Sequence, residues 1–224
     1  MAHVMPLPSG PESSAGTRER ILDASELLFA DAGFDGTSVR DITAAAGVNL
    51  AAMNYHFGGK DSLYQEVVLR RLSLMRDERV AAIRRAMHAG RPRPRLEDVV
   101  RAFGVAVLAP ILDWDRGRVV VQLMAREMSE PRLPKGTCQI QVMQPVEAEL
   151  AAAIREIVPA LDGEAARMAV HGVHSQLLGL FQVARCQGTL ERRSAYGVTF
   201  AKALDYIVRF SAAGIRGLAG GSRP

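Results

Sequence analysis

Apolar residues recur along this chain at spacings of three and four, the period of helices that bury one face. Ile21, Ala24, Leu28 and Ala32 mark the first such stripe, with Thr17 as its cap and Gly33 as its stop. A much longer stripe, Leu63, Val67, Leu72, Met75, Val80, Ile83 and Met87, predicts a helix over about 60–89. Gly90 and the RPRPR run end it, because proline cannot continue a helix interior. Beyond it the pattern predicts helices over 96–112, 116–128, 137–158, 162–187 and 194–215, with Pro110 kinking the first. Residues 113–117 and 131–136, Pro159 and Gly188 divide them. The β-branched cluster RVVVQL at 118–123 is the nearest approach to a strand, yet its flanks keep the helical period through Met124 and Met128, so it is read as helix.

Between the first stripe and the long one lies TSVRDITAAAGVNLAAMNYHFGGK, from Thr37 to Lys60. Thr37 or Ser38 caps a short helix, Gly47 ends it in a left-handed conformation, and Asn49 caps the next. Val39, Ile42, Ala46, Val48 and Met53 fall where two such helices pack together, which makes the stretch a helix-turn-helix. Arg40, Asn49, Ala51, Ala52, Asn54 and Tyr55 face outward. The expected fold is all-α with about nine helices. A flexible Pro- and Gly-rich arm over 1–16 leads into a three-helix domain over 17–60, joined by the long helix to a larger helical domain over 61–224.

At 224 residues and 48% hydrophobic content the chain can bury a sizeable core. Its net charge of +4 suits a nucleic-acid partner, but acids outnumber bases over 1–60 and the excess of arginine lies at Arg70, Arg71, Arg76, Arg79, Arg84 and Arg85 and just beyond. Those arginines are read as solvated faces, with phosphate contact as the alternative; Arg18 and Arg20 carry the same two readings. Cys138 and Cys186 lie far apart and are read as reduced thiols. His3, His56, His88, His171 and His174 form no constellation with a nucleophile or acid, so catalysis is not expected. His171 and His174 are three apart on one helix without a matching Cys or carboxylate, so neither metal nor cofactor is expected. No apolar run is long enough to cross a bilayer, and a cytoplasmic location is expected.

The segment RERILDASELLFADAGFDGTSVRDITAAAGV and the pattern V-N-x-x-x-x-Y-H-F-G-x-K resemble the TetR family of transcriptional regulators, as does the spacing from Gly33 through Gly47 and Tyr55 to Lys60. The likeness covers the first quarter to third of the chain. Thr43 departs from the family's usual alanine, and its hydroxyl can bond back to the preceding turn. In a helix that enters the major groove, Asn54 is the best base reader, pairing bidentately with adenine. Ala51 and Ala52 can press on thymine methyls, and Asn49 can cap, hold phosphate or read a base. Tyr55, His56 and Lys60 resemble the family's clamp on the DNA backbone, a buried and satisfied histidine being the other reading of His56, with Thr37 and Arg40 as further phosphate contacts.

The resemblance further implies a dimer through the last two helices, where Ala169, Val173, Leu177, Leu180, Leu204, Ile207, Val208 and Ser211 form the expected face. It also implies an effector pocket in the larger domain, for which Phe103, Trp114, Met124, Met128, His171, His174, Gln176 and Phe181 are candidate lining residues. The expected function is a homodimeric, sequence-specific repressor of a palindromic operator in double-stranded DNA, released by an unknown small molecule and without a membrane partner. The alternative is an architectural or adaptor DNA-binding protein without a small-molecule switch.

Overall fold

The computed structural model describes residues 14–89, 93–112, 114–189 and 194–220, leaving aside the side chains of 111, 112, 114–116 and 194. In chain order these form α1 (Ser14–Ala32), α2 (Val39–Ala46), α3 (Leu50–Phe57), α4 (Lys60–Met87), α5 (Leu96–Leu112) and α6 (Trp114–Ser129). A π-helical turn (Gln139–Met143) runs directly into α7 (Gln144–Ile157), followed by α8 (Gly163–Cys186). A hairpin of β1 (Ser194–Ala195) and β2 (Val198–Thr199) precedes α9 (Phe200–Gly220). RVVVQL is helical, inside α6. Of the expected arm, residues 1–13 lie outside the described ones, and α1 begins at Ser14, so Thr17 is inside the helix rather than its cap.

The chain divides into two compact units, but not at residue 60. The smaller comprises residues up to Leu69 together with Gln122–Arg132; the larger comprises Arg70–Val121 and Leu133 onward. Long helices α4 and α6 therefore each contribute to both.

In the smaller unit, Ile21, Leu22, Phe29, Ile42, Met53, Leu63 and Val67 form the buried core of α1–α4. Phe29 and Phe34 both meet the ring of Tyr64 edge-on, at 5.1 and 5.4 Å. Ser38, not Thr37, caps α2: its hydroxyl accepts from the Asp41 amide at 3.1 Å while the Asp41 carboxylate accepts from the Ser38 amide at 3.1 Å. These bonds hold the Asp41 carboxyl below its usual value. Gly47, at φ 64°, lets the chain turn at the end of α2, and the Asn49 side chain accepts from the Ala52 amide at 2.8 Å to start α3. Thr43 donates to the Arg40 carbonyl at 3.0 Å, the back-bond its position foretold.

The end of α6 closes this unit. Arg126 donates to the carbonyls of Ala30 (3.0 Å) and Asp31 (2.5 Å), groups that the last turn of α1 leaves without helical partners. Arg132 forms a two-pronged pair with Asp35 (2.9 and 3.0 Å) and stacks 3.8 Å over Phe34. Glu127 accepts from the Tyr64 hydroxyl at 3.1 Å, and burial with that carboxylate pushes the phenol's pKa up. Gly33 stands between α1 and Arg126 at φ 76°, and a Cβ there would lie 2.6 Å from an Arg126 Nη. Gly33→Ala therefore carries both backbone strain and displacement of the arginine. The expected destabilisation is about 1–3 kcal/mol, read as a lower melting midpoint.

In the larger unit, α5, α7, α8 and α9 pack around Leu96, Val99, Phe103, Leu150, Ile154, Val170, Leu177, Leu204 and Ile215. Glu97 of α5 pairs with both prongs of Arg216 on α9 at 2.7 and 2.9 Å, which brings its pKa down to about 2. The π turn has a local cause. Pro145 has no amide hydrogen to give the Gln141 carbonyl, which accepts instead from Arg76 at 3.0 Å, and the Gln144 amide reaches back to Gln139. The last helix was expected from 194 but begins at Phe200. Tyr196 and Gly197 both take positive φ (55° and 74°), the conformation of a tight hairpin turn, and Ser194 pairs with Thr199 instead.

Candidate nucleic-acid interface

Recognition by a helix needs one face anchored and the other bare. In α3, Met53 and Phe57 are buried while Leu50, Ala51, Asn54 and Tyr55 are exposed, Tyr55 to 84%. Asn54 uses its backbone carbonyl to receive the Gly58 amide at 2.9 Å and leaves its carboxamide on the outward face. Tyr55 and His56 meet edge-on at 5.2 Å, with the imidazole half-buried. Arg40 is exposed on α2, Ala51 is exposed and Ala52 half-buried on α3. Asn49 is exposed with its oxygen engaged as a cap. Leu50, 56% exposed, is an apolar member of this face that the sequence pattern did not single out.

Two expected contacts change role. Thr37 is buried to 2%, and its hydroxyl donates to the carbonyls of Gly33 (2.7 Å) and Leu28 (3.2 Å); it braces the α1–α2 turn and has no hydroxyl to offer a phosphate. Lys60 donates to the Thr37 carbonyl at 2.9 Å and lies 4.1 Å over the Phe34 ring, so one of its three hydrogens is committed to that brace. Arg18 pairs with Glu66 and lies 5.2 Å over Phe57, and Arg20 donates to the Ala46 carbonyl at 3.3 Å, so both are anchored within the unit.

The dimer residues expected on α8 and α9 are placed differently. Val173, Leu177, Leu180, Leu204, Ile207, Val208 and Ser211 are buried in the larger unit's own core, and Ala169 is half-buried against it. Of these, Ala169, Val173 and Ser211 also line a groove between the two helices. The faces left bare carry Met168 and Leu178 on α8 and Tyr206, Phe210 and Leu218 on α9, each about half exposed or more. Between them runs a groove of about 130 Å³ lined by Ala169, Gly172, Gln176, Phe210, Gly214 and Leu218. A side chain added at Gly172 or Gly214 would meet nothing within 4 Å.

The expected effector residues are divided between the two units. Phe103 is buried, and its ring meets that of His174 at 6.0 Å. Gln176 donates to the Gly172 carbonyl and the Ser211 hydroxyl at 3.1 and 3.3 Å. Phe181 is half-buried. Met124 and Met128 belong to the smaller unit, Met128 being 67% exposed, and His171 faces outward while His174 faces in. The side chain of Trp114 lies outside the described ones. Among the described residues no three His, Cys, Asp or Glu come together as a metal site, and no helix is long and apolar enough to cross a membrane.

His174 is 6% exposed, and burial, followed by the charges of Arg79 and His171, brings its pKa from 6.5 down to about 4. The unfolded chain takes up this proton more readily. The stability carried by the neutral ring is therefore complete above pH 6.5 and is lost as the pH falls toward 4. The loss is about 3 kcal/mol in full, most of it reached by about pH 4.5. Urea unfolding near neutrality and at about pH 4.5 measures it, with His174→Gln lacking the increment.

Comparison with known proteins bears on the family and the fold. Residues 21–67 match the model of bacterial regulatory proteins of the tetR family, and residues 101–214 match that of the tetracyclin repressor-like C-terminal domain. The chain is 34% identical over 61 residues to the HTH-type transcriptional repressor KstR2 of Mycolicibacterium smegmatis, covering 27% of this chain and 30% of that protein. It is 35% identical over 51 residues to IcaR, the negative transcriptional regulator of the biofilm operon icaADBC in Staphylococcus aureus, covering 23% and 27%. These matches span less than a third of the relatives' own length. In fold the chain is similar to Salmonella enterica GusR, at a TM-score of 0.60 with 18% identity over 96% of this chain and 99% of the other. NalD of Pseudomonas aeruginosa, the secondary repressor of the MexAB-OprM efflux pump, gives a TM-score of 0.59 with 22% identity over 90% and 96%.

Proposed function

Since the chain belongs to the TetR family of bacterial transcriptional regulators, we propose that it represses transcription by binding a palindromic operator as a homodimer, and that a small molecule bound in the larger unit releases it. The observation that carries this reading is α3 itself, a capped helix fixed by Met53 and Phe57 and bare along Asn54 and Tyr55. Asn54 reads a base edge; Tyr55, His56 and Arg40 hold phosphates, and Lys60 adds charge at the start of α4. Ala51 and Ala52 leave room for thymine methyls. One such helix reads only a few base pairs, so two copies are needed.

Two copies meet through the bare faces of α8 and α9, where exposed Phe210, Tyr206 and Met168 stand beside glycines that let helices approach closely. Repression, rather than activation, is supported by the roles of KstR2 and NalD as repressors and of IcaR as a negative regulator. Sedimentation equilibrium of the purified chain tests the assembly: a species of twice the chain mass is expected at micromolar concentration, and a monomer at all concentrations, with and without DNA, contradicts it.

A further inference from the structure

The arginines of α4 look alike in sequence and differ in the fold. Arg76 donates to the Gln141 carbonyl and pairs with Asp77, and Arg84 forms a two-pronged pair with Glu149 at 2.8 and 2.9 Å. Arg79, between them, is only 7% exposed. Its Nε makes no hydrogen bond, no carboxylate among the described residues pairs with it, and the Cys138 thiol is the group whose field partly offsets its burial. Burial accordingly pulls the guanidinium down to about 10. An interior cation without a counter-charge is costly to keep, and replacing such groups by apolar ones is commonly neutral or stabilising.

What surrounds Arg79 completes a pattern. His174 of α8 is buried within reach of its charge, and the imidazole lies edge-on to Phe103 of α5. The π turn, a feature often found at functional sites, lies against the same stretch of α4 through the Arg76–Gln141 bond. The acids paired along this stretch of α4 are already engaged, Asp77 by Arg76 and Glu149 by Arg84. A buried guanidinium and the buried pair of His174 and Phe103 thus belong to one unit, near enough for the charge of Arg79 to act on the imidazole, and no carboxylate among the described residues pairs with the guanidinium.

We propose that Arg79 and His174 form the polar end of the effector site and that the effector is an organic carboxylate, whose oxygens accept hydrogen bonds from the guanidinium and whose apolar body lies toward Phe103. This inference rests on the reading of the larger unit as ligand-responsive.

The test uses the full chain, the variants Arg79→Met and, as an exposed control, Arg155→Met, and four probes: octanoate and phenylacetate, with octanamide and phenylacetamide as neutral counterparts. Thermal melting and titration calorimetry are run in carboxylate-free buffer. One or both carboxylates should raise the wild-type midpoint and their amides should not. Arg79→Met should weaken the response at least tenfold and Arg155→Met leave it intact, while Arg79→Met without ligand should melt no lower than wild type. If Arg79→Met does not fold, Arg79 is structural and the assignment falls. Amides binding as well as carboxylates, or carboxylate binding undiminished in Arg79→Met, overturns it too. If none of the four probes shifts the midpoint, the assignment is again overturned. A wider screen then separates the two readings: neutral compounds that shift the midpoint leave the ligand-responsive reading standing, and silence from every compound ends both.

Discussion

Asn54→Ala lowers affinity for the operator by about 1–3 kcal/mol, roughly 5- to 150-fold, and leaves affinity for random duplex unchanged. The expectation follows from where the side chain stands. Asn54 is exposed on the outward face of α3, and only its backbone takes part in the helix terminus. Truncation therefore spares the anchoring by Met53 and Phe57 and removes only the carboxamide that pairs with an adenine edge. Tyr55→Phe provides the contrast. It deletes a phosphate donor from a ring that is 84% exposed, so it weakens operator and random DNA to a similar extent. Fluorescence anisotropy on the two duplexes at one fixed salt concentration separates these effects. Equal losses for Asn54→Ala on both duplexes would remove it as the base reader.

The second large effect is on assembly. Phe210→Asp yields a folded monomer with little affinity for the operator. Phe210 is 72% exposed in the single chain, so the substitution costs the core nothing. In a dimer built on the bare faces of α8 and α9 it buries a carboxylate without a partner, a penalty of several kcal/mol per copy. Leu177→Ala has the opposite signature. That side chain is fully buried, and its loss costs about 2–5 kcal/mol of fold stability whatever the assembly. Circular dichroism and sedimentation run on both variants distinguish them: Phe210→Asp keeps its helical spectrum, loses mass and melts with a midpoint independent of concentration, whereas Leu177→Ala melts lower and keeps its mass. A Phe210→Asp protein that remains dimeric moves the interface elsewhere.

What could be read in advance depended on how local its physics is. The helix-turn-helix was legible because Ser38, Gly47 and Asn49 act within a few residues of themselves, and because Ile42 and Met53 have no other way to be buried. The orientation of α8 and α9 was not. Leu177 and Leu204 face the core while Met168 and Phe210 face out, and nothing in the residue types separates the two sets on helices that are apolar almost all round. The bonds from Arg126 to the end of α1 span more than ninety residues, beyond the reach of any pattern. The hairpin before α9 was missed because Tyr-Gly is not the Asn-Gly or Asp-Gly pair that announces such a turn. Arg79 did leave a trace: it occupies the apolar stripe of α4 between Met75 and Ile83, a place where a solvated arginine does not belong.

The central claim is that two copies of α3 read one symmetric site. Selection of bound duplexes from a random pool by the purified chain tests it most directly. Enrichment of a palindrome whose half-sites lie about one helical turn apart is the predicted result, with Asn54→Ala relaxing one position in each half. A folded protein that enriches no sequence at low or moderate salt, or that enriches one without two-fold symmetry, contradicts the account.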